Sequence, residues 1–330
     1  MVTWLVLLAV FGIGGLLLQV QELSLLVVFA GIFISAQAAD VDPRWFALYA
    51  VLGFVIPIGG AVTFGMLAVN IAKGSTTGML RIVAAGFSAL AAAFSLLTLY
   101  RPLANAMARA LFRSGESRTL RLAARVACLA LLVVFPAVVA MRDVLEPVLE
   151  RPGGVFQPAA LGGELIGYVL MALAAVGFLV RRDLRQTLER LGLGPLRPRH
   201  LGLIAAGAGA LFALNSGAEW VQHHLFPAGW EHDRRINEEM VRGLSVRAAI
   251  LLGMTAGIGE EITIRGALQP RLGIFLTSLV FAALHVQYSW FGMLTILLIG
   301  IVLGMVRQRA GTTVSIAIHA IYDVMAVFAT

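Results

Sequence analysis

The chain has a single cysteine, Cys128, and it sits inside an apolar run. One cysteine excludes an intramolecular disulfide. With no His or Asp near it in that run, it is not read as a catalytic thiol. Charge is also scarce: Asp, Glu, Lys and Arg make up 13% of the 330 residues, roughly half the share of a soluble domain. No lysine or arginine precedes the first apolar stretch, MVTWLVLLAVFGIGGLLLQV. A leader with a basic front end is therefore not expected, despite the loosely cleavage-like Ser35-Ala36-Gln37-Ala38, and these residues are read as retained membrane helices. The Gly-rich run AAGAGAL at 205–211 lacks a phosphate-loop lysine and follows no strand. That removes a nucleotide-binding reading and leaves close helix packing.

What is abundant is apolar sequence: 59% of residues are hydrophobic. Apolar segments fall near 2–20, 23–39, 45–72, 79–99, 120–140, 161–180, 201–218, 247–268, 273–288, 290–306 and 312–329. Most are long enough to cross about 30 Å of hydrocarbon at about 1.5 Å per residue. In lipid a helix satisfies its own backbone. The expected fold is therefore all-α, a polytopic transmembrane helix bundle of about eleven spans.

The net charge of +7 is carried by arginines in short loops, which fits the positive-inside rule rather than a nucleic-acid partner. Arg101, Arg109, Arg113, Arg118, Arg121 and Arg125 face only Glu116. Arg181, Arg182, Arg185, Arg190, Arg197 and Arg199 face Asp183 and Glu189. Both stretches are expected on the cytoplasmic side with Arg271, Arg307 and Arg309. The loop between them, with Asp143, Glu146 and Glu150 against Arg142 and Arg151, is expected outside. Lys73 and Arg81 then fall outside against the rule, and the count gives N-terminus in and C-terminus out. Leu103, Met107, Leu111 and Phe112 share a face in 101–113, as an interfacial helix or a plain loop helix would have it. The polar stretch from Glu219 to Arg247 scatters His223, His224 and His232 among acids. It reads as a solvated loop rather than a metal site, with Trp220 and Trp230 as interfacial anchors. Clustered Arg, Gly and Pro near 181–199 suggest a division into an N-terminal membrane region, 1–180, and a C-terminal core, 181–330.

That core holds ionisable residues inside apolar segments, where a charge costs roughly 2.5–3.5 kcal/mol or more unless it meets a partner or a water-filled cavity. In Glu260-Glu261-Ile262-Thr263-Ile264-Arg265, Glu261 and Arg265 share a helix face and read as a structural clamp. Glu260 points about 100° away, without a local partner, and suits a general base. His285 follows Phe281 by one helical turn. His319 and Asp323 also share a face, so Asp323 either orients His319 or both face a common site.

EEITIRG, FAALH and HAIYD resemble the motifs EExxxR, FxxxH and HxxxN/D of the CPBP family (CAAX protease and bacteriocin-processing, or Abi) of intramembrane endopeptidases. The resemblance covers about 185–330, with motif-grade matches from 257 onward. It implies a glutamate-dependent peptidase within a helix bundle. Glu260 and His285 would activate water, His319 and Asp323 would stabilise the oxyanion, and Glu261 and Arg265 would hold the helix geometry. Where the family often has Asn, this chain has Asp323, so that residue must be protonated, an orienter of His319, or a metal ligand. Members are often called metalloproteases and have also been described as metal-free. In the metal reading, Glu260, His285 and His319 form a set suited to zinc. The implied partners are membrane lipid and a peptide or protein tail entering from the membrane, lipidated or with a hydrophobic C-terminus, and the implied location is a bacterial inner membrane. The other readings of the same residues are a non-catalytic scaffold or immunity-type protein and a proton-coupled carrier.

Overall fold

In the computed structural model, residues 1–73, 78–112, 117–149 and 158–329 are described. Arg113, Glu116, Glu150 and Arg151 of the loop-charge pattern lie outside them. The described residues form helices α1 Val2–Leu17, α2 Gln21–Val41, α3 Phe46–Gly53, α4 Val55–Lys73, α5 Met79–Leu97, α6 Arg101–Phe112, α7 Arg118–Leu149 and α8 Pro158–Val176. The second half continues with α9 Leu184–Leu191, α10 Pro198–Leu225, α11 Pro227–Val241, α12 Val246–Glu260, a π-helical segment Glu261–Leu268, α13 Gln269–Ala283, α14 Trp290–Ala310 and α15 Thr312–Ala329. No strand occurs among the described residues.

Among the described residues, eight helical stretches are long and apolar enough to cross a membrane, and Val2–Leu17 and Ala160–Val176 are shorter apolar helices. Of the eleven expected segments, 2–20 and 161–180 are these two shorter helices, and two others share one stretch. The segments 247–268 and 273–288 adjoin without a loop in the stretch Val246–Ala283, through the π-helical turns, and the expected break between them is a kink at Gly273, where φ is 76° and ψ 175°.

α5 illustrates how such helices pack. Its inner face is Ala84, Ser88, Ala91 and Ser95, whereas Leu80, Val83, Leu90 and Leu97 point outward. Lipid tails are as apolar as leucine, so association rests on close packing of small residues and on internal hydrogen bonds. Ser95 Oγ accordingly donates to the Pro57 carbonyl of α4 at 2.8 Å. α6 buries Ala104, Met107 and Ala108.

α8 packs on α2 on one side and on α12 and the π-helical segment on the other. The N-terminal helices are tied to its C-terminal end by polar contacts. Trp4 Nε1 donates to Phe178 O (2.7 Å) and Gln37 Nε2 to Ala175 O (2.6 Å). Asp40 accepts from Ser117 and Thr119 and pairs with Arg181 (3.1 Å). The arginines of the loops meet at this end. Arg190 donates to the Gly266 and Ala267 carbonyls. Burial and the neighbouring Arg271, Arg182 and Arg307 push its guanidinium down to about 10.

The stretch 219–247 is not a loop. α10 runs to Leu225, and α11 turns back after Phe226 with Asp233 and Ile236 buried. A polar composition concealed an amphipathic helix laid against the core.

Candidate active site

The site is built by α12, the π-helical segment, α13 and α15. α15 crosses α12 at two glycines. A Cβ on Gly253 would lie 2.8 Å from Ala320 O, and one on Gly257 2.8 Å from Ala320 N. Only a bare backbone permits that approach, and it brings His319 and Asp323 to the C-terminal end of α12, where Glu260 sits.

His319 lies between the two glutamates. Its Nδ1 is 3.2 Å from Glu261 Oε1, and its Nε2 is 4.0 Å from Glu260 Oε2 and 3.6 Å from Asp323 Oδ2. The two sides of the ring differ. Glu261 and Arg265 are fully buried, whereas the Glu260 and Asp323 side chains each keep 21% exposure. The Nδ1 side is thus a closed structural network and the Nε2 side opens outward. Separations beyond hydrogen-bond length between polar groups on that side suit an intervening water.

On the closed side, Ser315 Oγ donates to Glu261 Oε2, and Arg265 Nε lies 3.6 Å from the same oxygen. The Arg265 guanidinium makes no hydrogen bond to the described residues and lies over the Phe281 ring at 4.9 Å. The expected Glu261–Arg265 pair is present, but as part of a network that includes His319 and Ser315. Glu260, expected to be without a partner, faces His319.

His285 is not on a helix. α13 ends at Ala283, and His285 begins the connection to α14. It nevertheless stays above Phe281: its Nδ1 lies 2.9 Å from Phe281 O and the two rings are 4.9 Å apart. The Phe281 ring also meets His319, at 6.0 Å. His285 is half-buried and within electrostatic range of His319 and Asp323. The three sequence motifs therefore come together.

Among the described residues, no three of His, Cys, Asp and Glu are gathered as a metal's ligands would be. The set Glu260, His285 and His319 does not fit zinc as arranged, and the metalloprotease label finds no support.

Three residues were missed in the sequence. Ser315 carried no signal, since serine is common in apolar helices. Tyr168 and Glu164 come from α8. The Tyr168 ring covers Gly259, where a Cβ would sit 2.6 Å from it, and its phenol hydrogen-bonds Glu164 within electrostatic range of Glu260. Glu164 was readable, being a carboxylate inside the apolar segment 161–180.

Residues 242–325 match a family described as type II CAAX prenyl endopeptidase Rce1-like. Over 164 residues the chain is 29% identical to the uncharacterized protein YpbD of Bacillus subtilis (strain 168), which is 49% of this chain and 82% of that relative. No solved structure matches. All three motifs fall inside 242–325, so the resemblance read from them is borne out and a CPBP-type domain occupies the C-terminal part of an integral membrane protein. The family is one of endopeptidases.

Proposed function

We propose that the protein is a glutamate-dependent intramembrane endopeptidase with Glu260 as general base. The observation that carries this reading is the meeting of Glu260, His319 and Asp323 on an open polar face, with His285 bound over Phe281 beside it. Hydrolysis of an amide needs an activated water and donors for the developing oxyanion. Glu260 takes a proton from water as the water oxygen attacks the scissile carbonyl carbon. Neutral His285 donates Nδ1–H to the Phe281 carbonyl, which leaves Nε2 as an acceptor that orients the water. In its imidazolium form, His319 donates from Nδ1 to Glu261 and keeps a second N–H at Nε2. That donor meets the oxyanion, and Asp323, 3.6 Å from the same nitrogen, joins it as a neutral carboxylic acid whose O–H is a second donor. When the intermediate collapses, the C–N bond breaks and the proton held by Glu260 passes to the departing amine. Glu261, Arg265 and Ser315 fix His319 from behind.

The substrate class that fits is a peptide or protein tail entering from the membrane, with a lipidated or hydrophobic C-terminus, and the location is a bacterial plasma membrane. The four functional side chains all belong to the proposed core, 181–330, while the arginine-rich end draws on both parts, with Asp40 and Arg118 from one and Arg181 and Arg190 from the other. The region 1–180 braces α8 against it.

The test is cleavage in proteoliposomes of a farnesyl-cysteine peptide with a three-residue apolar tail, beside the same peptide without the lipid. Wild-type protein should release the tail from the lipidated peptide, and Glu260→Gln should release none. Absence of cleavage of both peptides by folded wild-type protein would favour the scaffold reading.

A further inference from the structure

His285 leaves the helical ladder, so the backbone after it needs partners from elsewhere. Within the connection, His285 N bonds to Ala282 O and Tyr288 N to His285 O. Phe281 O also accepts from Leu284 N and His285 Nδ1, and further polar grip comes from α10 and α11. Three successive connection residues, Gln287, Tyr288 and Ser289, are each held by a residue of α11. His232 Nε2 donates to Gln287 O at 2.9 Å. Tyr288 Oη donates to Asn237 Oδ1 at 2.7 Å. Asp233 Oδ1 accepts from Ser289 N at 2.6 Å, and its Oδ2 accepts from Ser289 Oγ at 2.7 Å and Gln222 Nε2 at 2.7 Å.

Asp233 is only 6% exposed, and both of its oxygens are used. A carboxylate buried in that way persists because each oxygen is satisfied. Ser289 is the N-cap of α14, with Gly292 N donating to its Oγ. A Cβ on Gly292 would lie 2.5 Å from Asp233 Oδ2, so the first turn of α14 approaches the carboxylate as closely as a bare backbone allows. The segment that carries His285 is thereby fixed at one end by α13 and at the other by α11.

We propose that Asp233, with His232 and Asn237, positions His285: α11 is a brace that sets the imidazole over Phe281 and toward His319. This rests on the reading of His285 as the water-orienting group. Asp233 acts through Ser289, which donates to both of its oxygens.

The experiment measures the rate at which diethyl pyrocarbonate modifies His285 in the purified full-length protein, by mass spectrometry, with His200 at the far end of α10 as internal reference. Loss of charge-assisted hydrogen bonds should free the segment. Asp233→Ala is expected to raise the His285 rate, relative to His200, about tenfold. Asp233→Asn keeps an oxygen acceptor for Ser289 and should stay within about threefold of wild type. Tyr288→Phe removes one hydroxyl and should give an intermediate rise, which carries the test if Asp233→Ala does not fold. An unchanged His285 rate in the folded variants would overturn the proposal. On the lipidated peptide, kcat should fall in the order of the labelling rates while KM holds. Wild-type protein that cleaves nothing, with the labelling pattern intact, would refute the endopeptidase reading and leave the brace standing.

Discussion

Each nitrogen of His319 has its own kind of neighbour, and the consequences differ. On the buried side, Glu261 and Arg265 form an ion pair with no access to water. Removing one partner leaves an uncompensated buried charge, which costs about 3–5 kcal/mol. Arg265→Ala and Glu261→Ala should therefore lower folded yield and melting temperature in detergent, and Ser315→Ala should cost less, about 1–3 kcal/mol. Thermal unfolding of the purified variants checks the order; an Arg265→Ala protein that melts with wild type would remove the clamp. Glu260 was legible as the odd member of the Glu pair because the spacing separates it from Arg265. Its place beside His319 was expected only through the motif resemblance, since the two lie in different helices and only the fold brings them together. The role of Ser315 was invisible for the same reason.

At the scale of elements, the crossing of α12 and α15 decides whether the site exists. Ala320 rests against Gly253 and Gly257, and His319 is its neighbour in the chain. Gly257→Val inserts a branched side chain into backbone contact. Overpacking of that kind costs about 1–3 kcal/mol, and here it also moves His319 from Glu260. Cleavage by Gly257→Val should fall at least tenfold at temperatures where the protein remains folded by gel filtration; wild-type turnover in a folded Gly257→Val protein would separate the crossing from the site. Apolar length made most helices readable. It failed where local chemistry was unusual. The π-helical turns at Glu261–Leu268 carry the first of two expected spans on into α13, so that their boundary is a kink at Gly273 rather than a loop, and α13 stops short of His285 because the chain there bonds to α11. α11 itself was lost in a polar composition that hides a buried face built from Asp233 and Ile236. In each case the missing information was a contact with a distant segment.

For the whole molecule, the arginines converge. Asp40 joins Arg118 and Arg181 at the end where Arg190 meets Gly266 and Ala267. The loop charges had suggested a common side, and this clustering allows a direct test of orientation. On a Cys128→Ser background, Arg185→Cys should resist a membrane-impermeant maleimide in intact spheroplasts, and Gly78→Cys should react; the opposite pattern would invert the topology. The N-terminal helices reach the core through Trp4, Gln37 and Asp40, yet their sequences carry no motif that announced it. The central claim is that Glu260 activates a water where the three motifs meet. Its most direct measurement is single-turnover cleavage of the lipidated peptide in ¹⁸O-water by wild-type and Glu260→Gln protein of equal thermal stability. The account predicts one ¹⁸O in the new carboxylate with wild type and no product with Glu260→Gln; labelled product from Glu260→Gln at the wild-type rate would contradict it.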